Sequence, residues 1–527
     1  MRLIAKLLMG ASVVAFTPTA ALAQTPKDTV VMAKQIDDII SLDPAESFEF
    51  SGGEVVANVY DKLINVDPAK NNELVNDLAE SWSVTPDNLT YTFKIRPGIK
   101  FHSGNPVTAA DVVYSFQRVV ALNKSPGFIL TQFGLTKENA LEKMKAVDDS
   151  TFVITVSKAF APTFFLNCLN ANVASIVDAK TVKANEKDGD FGNAWMKANS
   201  AGSGAYVLKA YRPNEQYAME ANAGWFKGAP KNKRVIVRHV AEPASQRLLL
   251  EKGDADYARN LSKDQLAAIK DKPEMVVTQG DKGYILYLGL NQKNPNLAKP
   301  EVREALKWLV DYESIERNIV AGTYNQHGSF LPKGFLGAIT DKPYKFDLAK
   351  GKALLAKAGL ADGFTVTMDV RSVNPITDIA QAIQASWAQA GVKLELLPGD
   401  GKATLTKYRA RTHDIYIGQW GPDYLDPHTN AETFAVNESN AEDARSKTLA
   451  WRNAWDIPEM TKTTLAAVME TDAAKRVETY GVLQREHQKV SPFVMMFQQI
   501  EVAASAKNVT GLIIRIDRNL YHNITKN

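Results

Sequence analysis

Alternating apolar and polar side chains predict a strand in the first part of the chain. Between residues 90 and 96, Tyr91, Phe93 and Ile95 alternate with polar side chains, which is the period of a half-buried strand. Pro97 and Gly98 then form a dipeptide typical of a turn. The sequence therefore predicts a strand that ends near residue 96.

A helix is predicted after this turn. Thr108 and Asp111 have the spacing of a capping box, with Asp in place of Glu. Val112, Val113 and Phe116 follow as an apolar stripe at helical spacing. Taken alone, these elements indicate only a mixed α and β protein.

Further along the chain, strands and helices are predicted to alternate. "TVTMDV" (365–370) and "VKLELL" (392–397) have strand patterns, and Ile379, Ile383 and Trp387 lie on one face of a helix between them. A charged segment, predicted as a further helix, leads to "HDIYIGQW". This order predicts a parallel or mixed sheet with helical crossovers. In such sheets, ligands bind beyond the carboxyl ends of the strands.

The loop "GQWGPDYLDP" (418–427) begins where the last of these strands is predicted to end. It carries Trp420, Asp423 and Asp426 at intervals of three. A carboxylate beside an indole face is suited to an amine, which can donate hydrogen bonds to the acid and face the ring. The alternative is that both aspartates only form turns or caps, as Asp often does in loops.

The amino terminus has the pattern of a secretory signal peptide. Arg2 and Lys6 precede an apolar stretch, and the small residues Ala21 and Ala23 flank Leu22. Cleavage after Ala23 would export the mature chain, and the periplasm of a Gram-negative cell is the expected location. The formal charge of +3 over 527 residues falls closer to neutral without this leader, which argues against nucleic acid as a partner.

Cysteine and histidine provide no candidate chemistry. Cys168 is the only cysteine, so no internal disulfide can form, and its apolar neighbours indicate a buried side chain. No histidine pair has the spacing of a zinc helix, and no cofactor is expected. The chain is too long for one core and is expected to form two or three domains.

Several stretches resemble a known protein family. They are "SLDPAESFEFSGGEVVANVYDKLI", "LAESWSVTPDNLTYTFKIRPGIKFHSGNPVTAADVVYSFQRV", "AGSGAYVLKAYRPNE", "YLGLNQKNPNLAKPEVREALKWLVDYESI" and "GQWGPDYLDP". In this order they resemble the family 5 periplasmic solute-binding proteins of ABC importers, which take peptides, nickel or opines. The resemblance runs over essentially the whole mature chain.

The resemblance implies an α/β fold of the type II periplasmic-binding-protein kind, with two lobes, a ligand cleft, an extra domain and mixed sheets. It also implies a monomer that delivers its ligand to a membrane ABC permease. The expected division is as follows: signal peptide 1–23, lobe I 24–64, extra domain 65–178, lobe I again 179–280, lobe II 281–488, and the C-terminal part of lobe I 489–527.

The resemblance also implies site residues. In peptide-binding members, the aspartate matching Asp423 holds the ligand's amino group. Tyr424 and Trp420 are expected beside it, and "FSGGE" (50–54) is expected near the cleft, where its glycines would let backbone approach a ligand or the opposing lobe. The expected ligand-binding residues are thus Phe48, Glu49, Phe50, Arg371, Trp420, Asp423 and Tyr424.

One departure concerns the ligand's carboxylate. Dipeptide-type members place an arginine soon after an "NP" pair, where this chain has Thr377 and Asp378, and oligopeptide-type members place one at the position of Ile417. Arg371 is the nearest substitute. Peptides are therefore the leading ligand class, and opines or other amines are the alternative. An exported hydrolase that uses Asp423 and Asp426 is the alternative from another class, although no nucleophile, metal set or cofactor loop supports an enzyme.

Overall fold

The computed structural model describes residues 25–70, 73–444 and 447–527. The predicted signal peptide, 1–23, lies outside the described residues. Within the described ranges, no helix combines the length and apolar character needed to cross a bilayer.

The largest sheet has eleven strands and mixes parallel with antiparallel pairing. Ten of them lie in the order Val392–Gly399, Phe364–Arg371, Ile415–Trp420, Met275–Leu290, Phe493–Ala506, Tyr257–Ala258, Thr29–Lys34, Arg234–His239, Gln216–Ala221 and Tyr206–Arg212, and Tyr324–Gln326 pairs with Phe493–Ala506. The two long central strands, 275–290 and 493–506, join the halves of this sheet.

A separate antiparallel sheet comes from the segment between residues 79 and 155. Its strands lie in the order Ala79–Val84, Thr90–Ile95, Thr151–Thr155 and Met144–Asp148. Two short ribbons pair Ile64–Asp67 with Glu73–Asn76 and Val509–Thr510 with Thr525–Lys526.

Helices cover the sheets and connect their strands. The α-helices are Phe50–Val59, Ala109–Leu122, Phe128–Thr131, Ala140–Lys143, Pro162–Leu169, Ala179–Ala184, Asn193–Met196, Pro243–Lys252, Lys263–Ala267, Pro300–Trp308, Tyr312–Asn318, Leu348–Lys357, Ile376–Ala388, Gly401–Arg409, His428–Ala435, Leu449–Arg452, Pro458–Ala467 and Ala473–Val490. Short 3-10 turns lie at Pro68–Lys70, Ser125–Gly127 and Asn172–Ala174.

The elements predicted from hydrophobic periodicity are confirmed. The strand Thr90–Ile95 buries Tyr91, Phe93 and Ile95. The next helix begins at Ala109, and the carboxylate of Asp111 accepts a hydrogen bond from the Thr108 amide at 3.0 Å. The carboxylate therefore fixes the start of the helix.

The predicted alternation of strands and helices after residue 363 is also confirmed. Phe364–Arg371 pairs in parallel with Val392–Gly399 and with Ile415–Trp420, and Ile376–Ala388 and Gly401–Arg409 are the crossover helices. Trp387 is fully buried on the helix face that packs toward this sheet. The carboxyl end of Ile415–Trp420 leads directly into the loop 418–427.

Three large apolar clusters form the core. One is built from residues 45–176 together with Tyr424 and Val468. A second lies between residues 286 and 497, and a third combines residues 30–60, 114, 177–257 and 503–524. Tyr424 and Val468 thus join the first cluster from a distant part of the chain.

Candidate ligand-binding site

A cavity of about 200 Å³ lies where four parts of the chain meet. The first contributes Ser47, Phe48 and Phe50, and the second contributes residues 126, 129 and 170–173. The third contributes residues 419–425, and the fourth contributes Asp517 and Arg518 near the carboxyl terminus. Most of the predicted loop therefore lines a cavity.

Two glycines allow the loop to pack tightly against the long strand Met275–Leu290. A Cβ at Gly421 would lie 2.6 Å from the ring of Tyr284, and a Cβ at Gly283 would lie 2.8 Å from the ring of Pro422. Both distances are shorter than Cβ contacts allow. These glycines therefore let the loop turn into the cavity directly after its strand ends.

Asp423 is half-buried and lines this cavity. Its amide donates to the hydroxyl of Thr429 at 3.0 Å, which fixes the loop. Within the described part of the chain, no group donates a hydrogen bond to its carboxylate. Burial, and to a smaller extent the negative charge of Glu432, raise the pKa of this carboxyl to about 7, while the charge of Arg518 opposes the shift.

Several polar atoms around Asp423 also have no hydrogen-bond partner among the described residues. Five of these atoms belong to residues that line the cavity: Ser47 Oγ, Asn170 Oδ1, Trp420 Nε1, Tyr424 Oη and Arg518 Nε, of which the last lies against Gly53. Ser47, Asn170 and Tyr424 are no more than 3% exposed. Because buried polar groups in proteins are nearly always hydrogen-bonded, this group of atoms points to a polar ligand.

Asp426 has a different environment from Asp423. Its two carboxylate oxygens accept hydrogen bonds from the guanidinium of Arg476 at 2.7 and 2.5 Å, and one of them also accepts from the amide of His428 at 2.9 Å. The pair is fully buried. Asp426 therefore stabilises the fold and offers no free carboxylate, which removes the second acid of the hydrolase hypothesis.

Only part of the segment 48–54 lies at the cavity. Phe48 and Phe50 line it, and the ring of Phe50 packs on Tyr284 with centroids 4.3 Å apart. Glu49 precedes the helix Phe50–Val59 and is not a lining residue, and burial raises the pKa of its carboxyl. The glycines of "FSGGE" face Ser47 and Arg518 and do not face the loop 418–427.

Arg371 does not line this cavity. It is exposed at the end of its strand, beside Gly401. The arginine that does line the cavity is Arg518, in the stretch "RIDRNLYHN". Sequence reasoning missed it because this stretch has neither helical nor strand periodicity. Asn170 was missed because its neighbours in "FFLNCLNA" form an apolar helix end.

The family model for bacterial extracellular solute-binding proteins, family 5 Middle, matches residues 73–442. The chain belongs to this family. The probable D,D-dipeptide-binding periplasmic protein DdpA of Escherichia coli (strain K12) is 30% identical over 499 residues, which cover 93% of this chain and 92% of that protein. The family predicted from the sequence is therefore confirmed.

Solved structures of other proteins share the fold of this chain. The periplasmic binding protein DppA from Helicobacter pylori, in complex with peptide STSA, has a TM-score of 0.80 and 23% identity, covering 94% of this chain and 98% of that one. MoaA from A. tumefacien R10, in complex with mannopinic acid, has a TM-score of 0.77 and 24% identity, covering 95% and 100%. The fold is the α/β type II periplasmic-binding-protein fold that was expected.

Proposed function

We propose that this chain is the periplasmic substrate-binding component of an ABC importer, and that it captures short peptides and delivers them to a membrane permease. In this proposal it catalyses no reaction. The lobe and domain ranges given by the resemblance remain part of the proposal, with lobe I, the extra domain and lobe II each contributing residues to the cavity.

The observation that carries the proposal is the carboxylate of Asp423. A half-buried ionised acid in a cavity loses part of its hydration, and a cation or several hydrogen-bond donors compensate for this loss. The amino group of a peptide supplies both a positive charge and up to three donors. Trp420 lines the same cavity, and its indole is an electron-rich ring that suits a cation.

The size of the cavity favours a short ligand. Pockets for drug-sized molecules enclose roughly 300–1,000 Å³. A cavity of about 200 Å³ is smaller, and a dipeptide fits it better than a long peptide. The likeness to a probable D,D-dipeptide-binding protein agrees with this estimate.

We infer from the family resemblance that ligand binding closes the lobes, and direct contacts between two of the expected domains define the closed arrangement. The amide of Ala161 donates to the carbonyl of Val468 at 3.1 Å, and the ring of Phe164 meets Tyr424 edge to face at 5.7 Å. These contacts join the expected extra domain to the expected lobe II. A ligand held between them stabilises the closed arrangement because it binds that arrangement better than an open one.

The proposal is tested by identifying bound solute and by titration. Protein comprising residues 24–527 is purified, denatured, and the released small molecules are analysed by mass spectrometry. Calorimetry then measures binding of a dipeptide panel: dialanine in its L,L and D,D forms, diglycine and dileucine. Release of a peptide and binding of panel members support the proposal.

Other outcomes would contradict it. Release of an opine such as mannopinic acid, without binding of the panel, would favour the alternative ligand class, for which the likeness to MoaA is the supporting observation. Hydrolysis of any panel member by the purified chain would contradict a pure binding function.

A further inference from the structure

Arg518 is a cation at the cavity without a carboxylate partner. It lines the same cavity as Asp423. Its Nη1 group donates to the carbonyl of Asp517 at 2.9 Å and to the hydroxyl of Tyr284 at 3.4 Å. Within the described residues, Nε and Nη2 donate no hydrogen bond, and no carboxylate lies within salt-bridge distance. Nη1 is thus anchored, Nε is buried against Gly53, and Nη2 has no hydrogen-bond partner among the described residues.

Arg518 is partly buried, whereas the fully buried arginines among the described residues are paired with acids. Arg118 pairs with Asp43, Arg476 pairs with Asp426, and Arg515 pairs with Asp517. The acid next to Arg518 in sequence is therefore already engaged by Arg515, through two hydrogen bonds of 2.9 Å. Arg518 itself forms no ion pair among the described residues, although its charge lowers the pKa of the Asp423 and Asp517 carboxyls from a greater distance.

The position of this guanidinium depends on a glycine. A Cβ at Gly53 would overlap Arg518, with its Cζ and Nη2 only 3.0 Å away. The aromatic ring of Phe50 lies 5.8 Å from Cζ on the same helix. The glycine of "FSGGE" thus leaves room for the arginine to lie against the helix Phe50–Val59 and reach the cavity wall.

We propose that Arg518 holds the carboxylate of the ligand, while Asp423 holds its amino group, so that the site selects a short molecule with both charges. This inference rests on the proposed function and names the residue for the ligand's acidic end. Guanidinium and carboxylate form strong charge-assisted hydrogen bonds, and the unpartnered Nη2 group supplies the donors. A cavity of about 200 Å³ keeps the two ends of such a ligand close together.

The test is calorimetric titration of wild type, Arg518→Gln and Arg371→Gln at about pH 7.5, between the pKa of Asp423, about 7, and that of the ligand's α-amino group, roughly 8. Two probes are used: the panel dipeptide that binds wild type most tightly, and its C-terminal amide. We expect Arg518→Gln to bind the free acid about ten- to a hundredfold more weakly than wild type. We expect amidation of the ligand to weaken its binding to wild type by a similar factor. Amidation should weaken binding to Arg518→Gln only a little, because this variant no longer contacts the ligand's carboxylate. Arg371→Gln should match wild type with both probes.

A second variant guards against a general loss of structure. Gly53→Ala adds a methyl group that displaces the guanidinium while keeping its charge, and Ala is favoured over Gly inside a helix. We expect this variant to melt no lower than wild type, yet to lose part of the discrimination between acid and amide. Unchanged discrimination in Gly53→Ala would contradict the placement of the guanidinium.

The outcomes separate this inference from the proposed function. Suppose that wild type binds dipeptides and that amidation weakens binding to Arg518→Gln as much as binding to wild type. Arg518 then does not hold the carboxylate, and the peptide-binding proposal stands. If Arg371→Gln loses the discrimination instead, the carboxylate is held by Arg371. If wild type binds no member of the panel, the proposed function is contradicted, and this inference with it.

Discussion

Arg476 holds the carboxylate of Asp426 at 2.7 and 2.5 Å, with both side chains about 1% exposed. Asp423, three residues earlier in the same loop, has no such partner and lines the cavity. One aspartate of "GPDYLDP" therefore fixes the loop and the other faces the ligand cavity. Replacing each aspartate with asparagine should therefore affect the stability of the protein differently at the two positions.

Asp426→Asn should destabilise the protein strongly. Removing one member of a buried ion pair leaves the other charge uncompensated, which typically costs about 3–5 kcal/mol. Urea denaturation of the ligand-free protein, followed by circular dichroism, measures the change. Asp423→Asn is the matched control and should leave the midpoint unchanged or raise it; a loss of stability in Asp423→Asn as large as in Asp426→Asn would contradict the assignment.

Ligand affinity should depend on pH through Asp423. The pKa of its carboxyl is about 7 in the ligand-free protein, and only the ionised form attracts an ammonium. Below the pKa of Asp423, affinity should therefore rise with pH by up to roughly tenfold for each pH unit from about pH 5 to 7. Above about pH 8 it should fall again, because the α-amino group of the ligand loses its proton there. Calorimetry with the tightest panel dipeptide measures the profile, and its N-acetylated form should show a flat one.

Glu432→Gln supplies a control for this pH profile. The charge of Glu432 helps to raise the pKa of Asp423, and the pKa of Glu432 itself is raised to about 7. Removing this acid should shift the midpoint of the affinity profile to lower pH. Since the two acids interact, the measured midpoint in wild type belongs to the pair. A midpoint that moves upward would contradict this electrostatic account.

The same pKa shift predicts how the ligand-free protein responds to pH. Folding raises the pKa of Asp423 from 3.8 to about 7, so the folded state binds more protons than the unfolded state between these values. The contribution of Asp423 to stability therefore falls as pH rises from about 4 to 7. Asp423→Asn should remove this fall, so that melting curves of the variant and wild type differ more at pH 8 than at pH 4. Parallel curves across this range would contradict the shift.

Tyr424→Phe tests whether a hydroxyl without a partner serves the ligand. The buried Oη of Tyr424 has no hydrogen-bond partner among the described residues, so its removal should not lower the stability of the ligand-free protein. Dipeptide affinity should fall about three- to tenfold if the ligand bonds to it. Tyr91→Phe is the matched control, because Tyr91 Oη is also without a partner but does not line the cavity. Equal affinities of the two variants would exclude a role for the Tyr424 hydroxyl.

Lobe closure should be visible in solution. X-ray scattering of protein freed from ligand by denaturation and refolding is compared with scattering at saturating dipeptide. We expect a smaller radius of gyration with ligand, since the ligand stabilises the closed form. An unchanged radius at saturation would contradict closure.

The sequence predicted those parts of the fold that local patterns determine. Tyr91, Phe93 and Ile95 alternate because one face of their strand is buried, and Ile379, Ile383 and Trp387 are spaced by the helical period. The loop after Ile415–Trp420 could be predicted as a ligand loop because a parallel sheet places such loops at one edge. These predictions needed only neighbours along the chain.

The parts that the sequence did not predict depend on distant partners. Asp423 and Asp426 have similar neighbours along the chain, and they differ only because Arg476, fifty residues later, reaches Asp426. Arg518 lies at the cavity because the carboxyl-terminal segment packs against the helix that contains Gly53. Neither relationship leaves a periodic pattern in the sequence.

The most direct test of the account is a calorimetric cycle with wild type and Asp423→Asn, each titrated with the tightest panel dipeptide and with its N-acetylated form. A charge-assisted hydrogen bond of about 1.5–3 kcal/mol predicts that Asp423→Asn binds the free amine roughly ten- to a hundredfold more weakly. Acetylation of the ligand's amino group should weaken its binding to wild type by a similar factor and its binding to the variant much less. If the two losses simply add, Asp423 does not hold the amino group, and the central claim of the account is contradicted.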